Sequence, residues 1–204
     1  ANMKLLEKCG ADAWLVVVPF YNKPTQEGQY QYFKAICEST DKPVVIYNVP
    51  GRTGVNMTAD TTLRLARDCH NIIGIKEASG NIEQISRIVS ERPDGFRVLS
   101  GDDKLTRQLM HLGVDGAISV VADLYPKELA ALCAAMKQGN EAEADAIDKR
   151  LAPFYDLLFA EGSPAGVKAA LHLDGRCSNI LRLPLVPVSD ALTDKLRQAM
   201  AAME

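Results

Sequence analysis

Lys76 closes the apolar run Ile72-Ile73-Gly74-Ile75. A lysine emerging from an apolar strand into the mouth of a parallel sheet gives up its charge more easily than one in water, and a neutral amine attacks carbonyls. The product is a Schiff base, which draws electrons from the adjacent carbon and lets carbon–carbon bonds form or break. A strand-end lysine can equally snorkel to solvent or pair with the neighbouring Glu77. Tyr47 ends the preceding apolar run, where its phenol could shuttle protons for that amine or simply pack. Tyr21, after the run before, could extend the relay or pack against another subunit. Arg52 stands between Gly51 and Gly54, its planar fork suited to a carboxylate or to a surface ion pair.

Positioning these groups requires a parallel sheet, whose active edge lies at the carboxyl ends of its strands. Short apolar runs predict strands over 14–18, 44–47, 72–76, 96–99 and 116–121, apolar on both alternations as for strands covered on both faces. Amphipathic periodicity predicts intervening helices over 25–38, 58–68, 81–89 and 103–112, with Thr25, Thr58 and Asn81 as N-caps and Gly10 and Gly113 as stops. Three further helices follow over 127–138, 141–159 and 164–173, and a last one is capped by Ser189 or Asp190. Met3, Leu6 and Cys9 read as the last turns of a helix whose beginning precedes the chain.

The 204 residues are 47% hydrophobic and 24% charged, enough for a substantial core. A net charge of −3 with mixed signs argues against a nucleic-acid partner. No apolar run approaches the roughly 20 residues that span a bilayer, so no membrane association is expected. The 5 cysteines are scattered without a C-x-x-C pair, and Gly101-Asp102-Asp103 reads as a turn before a helix, so neither disulfides nor a metal are expected.

Five segments, Pro19-Phe20-Tyr21-Asn22-Lys23-Pro24, Tyr47-Asn48-Val49-Pro50-Gly51-Arg52-Thr53-Gly54, Gly74-Ile75-Lys76-Glu77-Ala78-Ser79-Gly80, Leu99-Ser100-Gly101-Asp102-Asp103 and Gly116-Ala117-Ile118-Ser119-Val120, occur in this order. With the late Leu181-Arg182-Leu183-Pro184-Leu185, they make the chain resemble the dihydrodipicolinate synthase family, also called 4-hydroxy-tetrahydrodipicolinate synthase. The resemblance implies an α/β fold, the (β/α)8 TIM barrel. Residues 1–121 would supply strands 4 to 8 with their helices, and 122–204 a C-terminal helical extension.

The resemblance also implies a lyase of lysine and diaminopimelate biosynthesis. Lys76 would hold pyruvate as a Schiff base whose enamine attacks aspartate semialdehyde, giving 4-hydroxy-tetrahydrodipicolinate. Tyr47 would relay protons, Tyr21 would join the relay across a dimer interface, and Arg52 would bind the semialdehyde carboxylate. The backbone at Ile118 would border pyruvate, with Gly101 as a further substrate-binding position. No cofactor is implied beyond the Schiff base, and the setting would be cytoplasmic, in a homotetramer built as a dimer of dimers.

Two alternatives stand beside this reading. A related pyruvate-dependent aldolase, such as an N-acetylneuraminate lyase or a keto-deoxy sugar acid aldolase, would share the Lys and Tyr but not the Gly-Arg-Thr-Gly loop. A truncated, non-catalytic partial barrel is the other, because three βα units of the family, with their Gly-Thr-Thr-Gly-Glu segment, are not found in the sequence. Phe20 stands where some members carry a second tyrosine lining a lysine pocket.

Overall fold

The computed structural model describes residues 6–203. They form two compact units that divide between Ala117 and Ile118. In the first unit, β1 (Trp14–Val17), β2 (Val44–Asn48), β3 (Ile72–Glu77), β4 (Arg97–Ser100) and β5 (Gly116–Ala117) form one parallel sheet in chain order. The connections carry α1 (Gln26–Cys37), the short α2 (Pro50–Thr53), α3 (Ala59–Asp68), α4 (Ile82–Glu91) and α5 (Thr106–His111). Parallel neighbours joined through helices are the βα arrangement that the alternating patterns predict.

The helices start where side chains satisfy their first N–H groups. Thr25 accepts from Gly28 N–H at 3.2 Å, Thr58 from Thr61 N–H at 3.4 Å and Asn81 from Gln84 N–H at 3.0 Å. Helix α5 begins later than the sequence suggests, because residues 100–105 are held in a turn. Ser100 Oγ accepts the Asp102 N–H at 3.2 Å and Asp102 Oδ1 the Leu105 N–H at 3.2 Å.

Strand registers divide the sheet side chains into two faces. Val18, Val44, Ile46, Ile72, Ile75 and Val98 pack with Phe33, Leu65, Ile85 and Ile88 from the helices in a dry core. The other face carries Val17, Val45, Tyr47, Lys76 and Leu99, which are only half-buried, and Leu15, which is exposed. The runs are apolar on both alternations, and among the described residues the helices pack on one of the two faces.

The β2–β3 ladder is irregular. Val44 faces Ile72 but Val45 faces Gly74, so Ile73 is an extra residue on β3. Beyond it the register is Ile46 to Ile75, Tyr47 to Lys76 and Asn48 to Glu77. Gly74, just past the extra residue, lies so close to β4 that a Cβ there would sit 2.5 Å from the Arg97 carbonyl oxygen.

The second unit is helical: α6 (Val121–Leu124), α7 (Pro126–Lys137), α8 (Glu141–Leu157), α9 (Ala165–Leu173) and α10 (Asp190–Ala201). Leu124, Leu132, Leu151, Phe154, Ala170 and Leu196 are fully buried, and Tyr125 meets Phe154 edge-on at 4.8 Å. Gly166 lets α9 approach the preceding chain, since a Cβ there would stand 2.4 Å from the Leu158 carbonyl oxygen. Ser189 caps α10, accepting from Leu192 N–H at 3.2 Å.

The fifth strand differs most from expectation: it ends at Ala117 rather than residue 121. Ser119 Oγ accepts the Ala122 N–H at 3.0 Å and so starts α6, which converts the β-branched pair Val120-Val121 into a turn and a helix. At the other terminus Glu7–Cys9 is a 3-10 turn closed by Gly10 at φ 73°, and Met3 lies outside the described residues.

Gly74→Ala should destabilise the chain by roughly 1–3 kcal/mol, because the added methyl meets fixed backbone rather than a flexible side chain. Urea unfolding followed by circular dichroism measures this, and an unchanged midpoint would show that β3 and β4 separate without cost.

Candidate active site

The carboxyl ends of β2, β3 and β4 bring three of the expected site residues together. Tyr47 and Lys76 are cross-strand partners, and the Lys76 Nζ lies 4.4 Å from the centroid of the Tyr47 ring. That is the distance of a cation over an aromatic face. An amine and a phenol are thereby held within one side chain's reach by backbone pairing alone.

Gly101 follows β4 and makes space for the lysine. Its N–H donates to the Glu77 carbonyl at 2.8 Å, which fastens the ends of β3 and β4 together. A Cβ at this position would lie 2.9 Å from Lys76 Cε, 3.1 Å from Lys76 Cγ and 2.7 Å from the Ala78 Cβ. The missing side chain is what the lysine stem occupies. The resemblance casts Gly101 as a substrate contact; the geometry gives it a prior task, which is to let Lys76 extend along the strand end.

Arg52 stands exposed on α2, a single turn opened by Pro50 at its first position and ended by Gly54 at φ 70°. Sequence patterning reads this segment as a loop, although the Pro-x-x-x-Gly spacing is itself a helix signal. Thr53 ties the turn internally, donating to the Val55 carbonyl at 2.9 Å and to the Val49 carbonyl at 3.2 Å. Burial pushes the Tyr47 phenol above its ordinary range, and the nearby positive charge of Arg52 pulls it partly back. The phenol therefore keeps its proton in neutral solution and lies within the field of the guanidinium.

Tyr21 is placed differently from these. It lies in the loop after β1, 89% exposed, with φ at 65°, and Lys23 two residues on has φ 46°. Two non-glycine residues in the left-handed region make this a strained loop that presents its aromatic ring to solvent. Phe20 beside it is 63% exposed. Ile118 opens the second unit and is half-buried there.

The placement of one buried acid beside the site escapes a reading of the sequence. Glu77 is 1% exposed and does not pair with Lys76, because adjacent strand residues point to opposite faces. Its carboxylate instead accepts from Ser79 N–H at 2.8 Å, Gln84 Nε2 at 3.0 Å and Asn48 Nδ2 at 3.1 Å. Burial raises its proton affinity and these donors oppose that rise. The alternation is the available signal: if Lys76 faces the site, Glu77 must face the helices.

No group of three or more His, Cys, Asp or Glu side chains that could hold a metal occurs among the described residues, and the five cysteines are all free thiols. No helix among those residues is long and apolar enough to cross a membrane.

A parallel βα sheet bearing an amine, a phenol and a guanidinium at its strand ends belongs to the α/β barrel class. The comparisons narrow this. Residues 2–203 match the sequence profile of the Dihydrodipicolinate synthetase family. The chain is 55% identical over 196 residues to the 4-hydroxy-tetrahydrodipicolinate synthase of Phocaeicola vulgatus, a match covering 96% of this chain and 66% of that protein. It is 51% identical over 196 residues to the synthase of Neisseria meningitidis, covering 96% and 67%.

Among solved structures, dihydrodipicolinate synthase from Thermotoga maritima superposes with a TM-score of 0.95 at 47% identity, covering 98% of this chain and 69% of that one. The chloride-inhibited enzyme from Acinetobacter baumannii, complexed with pyruvate, superposes at 0.93 with 42% identity, covering 98% and 68%. The chain belongs to the dihydrodipicolinate synthetase family, and it spans about two thirds of the length of the curated relatives it matches, 64% to 69% in the first four.

Arg52→Ala should move the Tyr47 phenol titration further to alkaline pH, since it removes the charge that opposes burial. Site-resolved NMR of labelled tyrosine checks this; a titration unmoved or shifted to lower pH would separate the two residues electrostatically.

Proposed function

We propose that the chain carries the Schiff-base centre of a pyruvate-dependent lyase, condensing pyruvate with aspartate semialdehyde to 4-hydroxy-tetrahydrodipicolinate in lysine biosynthesis. The observation that carries this reading is the Lys76–Tyr47 pair, an amine over a phenol ring at 4.4 Å on adjoining strand ends. The name and pyruvate complex of the relatives support the substrate assignment.

In this mechanism the neutral Lys76 amine attacks the pyruvate ketone and forms a carbinolamine. Tyr47 donates a proton to the departing oxygen, water leaves, and a protonated imine remains. Loss of a methyl proton gives the enamine, whose carbon attacks the semialdehyde carbonyl to form the new carbon–carbon bond. Arg52, exposed on its turn, receives the carboxylate of that second substrate through charge-assisted hydrogen bonds. The semialdehyde amine then attacks the imine carbon, closes the ring and returns Lys76 as the free amine. The electron sink is the lysine imine, so the scheme calls on no cofactor and no metal.

Tyr21 serves this reading as an exchanged residue. Its exposed ring on a strained loop suits insertion into a second subunit, as in the dimer of dimers implied by the family. The division of the chain into barrel units to residue 121 and a helical extension beyond belongs to the same proposal, as does a cytoplasmic setting.

Borohydride added with pyruvate should fix a reduced pyruvyl group on Lys76, found by peptide mass mapping, and Lys76→Arg should abolish it. An unmodified Lys76 in the wild-type chain would end the proposal. Gly101→Ala should slow the same labelling roughly tenfold by displacing the lysine stem. For turnover with aspartate semialdehyde, Arg52→Ala should raise KM at least about tenfold, the loss expected for a charged hydrogen bond. A KM left unchanged would point to an acceptor without that carboxylate.

A further inference from the structure

The Glu77 carboxylate sits on the helix-facing side of the sheet, one residue beyond Lys76. Its hydrogen-bond partners are amides and a backbone N–H, and they come from separate parts of the chain. Asn48 ends β2, Ser79 follows β3, and Gln84 lies in the first turn of α4.

The same network continues to the loop after α2. Asn48 Nδ2 donates to Asn56 Oδ1 at 2.8 Å, and Asn48 Oδ1 accepts the Met57 N–H at 3.0 Å. Gln84 Nε2 reaches the Met57 carbonyl at 3.1 Å, while Gln84 Oε1 accepts from Asn56 Nδ2 at 2.8 Å. Asn48 precedes and Asn56-Met57 follow the turn that carries Arg52. Both ends of that segment are thus joined to the strand residue adjacent to the amine.

We propose that Glu77 is a positioning residue: through Asn48, Asn56 and Gln84, its buried carboxylate fixes the Arg52 turn and the end of β3 in one frame, and so sets where Lys76 meets its keto acid. The inference rests on the Schiff-base reading above. Glu77 does not touch the reacting atoms. It acts by accepting: its two oxygens face donors on three sides, and only an unprotonated carboxylate satisfies them all. A glutamine in its place keeps the shape but turns an NH2 toward Asn48 Nδ2 or Gln84 Nε2, donor against donor.

The polarity of the network provides the test. In the full chain, Glu77→Gln should slow borohydride trapping of saturating pyruvate on Lys76 by roughly ten- to a hundredfold per folded molecule, the scale of a reacting group misplaced by about an ångström.

A purely structural role would lower the thermal midpoint of Glu77→Gln yet leave trapping per folded molecule unchanged, and that result overturns the proposal. If Glu77→Gln does not fold, Gln84→Ala carries the test by the same rate criterion, because it removes one donor from a half-buried helix position. Absence of trapping in the wild type overturns the Schiff-base reading and this inference with it. Normal wild-type trapping beside an unaffected Glu77→Gln overturns this inference alone.

Discussion

Lys76 meets Tyr47 because β3 carries one residue more than β2 at the start of their ladder. Without Ile73 as the extra residue, Ile75 would face Tyr47, and the lysine would fall opposite Asn48. A strand alternates its side chains with period two, so a slip of one residue exchanges the two faces completely. The amine would then point into the helix layer and Glu77 toward the open face. Everything at these strand ends, the cation over the phenol, the glycine that yields to the lysine stem and the buried carboxylate, presupposes that single irregularity.

The sheet makes different use of its two sides. On one, aliphatic residues of the longer strands pack with side chains of α1, α3 and α4 in a buried cluster. On the other lie the half-buried Val17, Val45, Tyr47, Lys76 and Leu99, with Tyr47 and Leu99 flanking Lys76 on the neighbouring strands. Lys76 and Tyr47 thus stand on one side of the sheet, while the Glu77 hydrogen bonds are made on the side packed by helices. Within the sheet and its strand ends, glycine permits close approach at Gly74, against the backbone of β4, and at Gly101, against the lysine stem.

Much of this is readable from residue order, and the failures have physical causes. Thr25, Thr58, Asn81 and Ser189 cap helices as their types suggest, because a side-chain oxygen before an amphipathic run has one geometry open to it. The amine, phenol and guanidinium can be named as candidates because strand ends are where a parallel sheet exposes its chemistry. The bulge at Ile73 cannot be seen, since an extra apolar residue inside an apolar run leaves the pattern unchanged. The length of β5 is overestimated for a related reason: Val120 and Val121 favour strands by propensity, but a Ser119 hydroxyl that captures the next helix overrides them. Glu77 reads as a mere neighbour of Lys76, although its alternation already sets it apart.

The carboxylate of Glu77 is held by dipoles where many buried acids are held by an arginine or lysine. Its attachments to Asn48, Ser79 and Gln84 are short-range and directional, and the carboxylate itself is buried. Dissolved ions weaken interactions between exposed charges across a Debye length, but they have little purchase on short amide hydrogen bonds to a buried acceptor. The exposed ion pairs of the helix surface, such as Arg64 with Glu27 and Arg87 with Asp60, will loosen as salt concentration rises. The frame that carries the amine is therefore insulated from the ionic strength of its surroundings, while the outer surface is not.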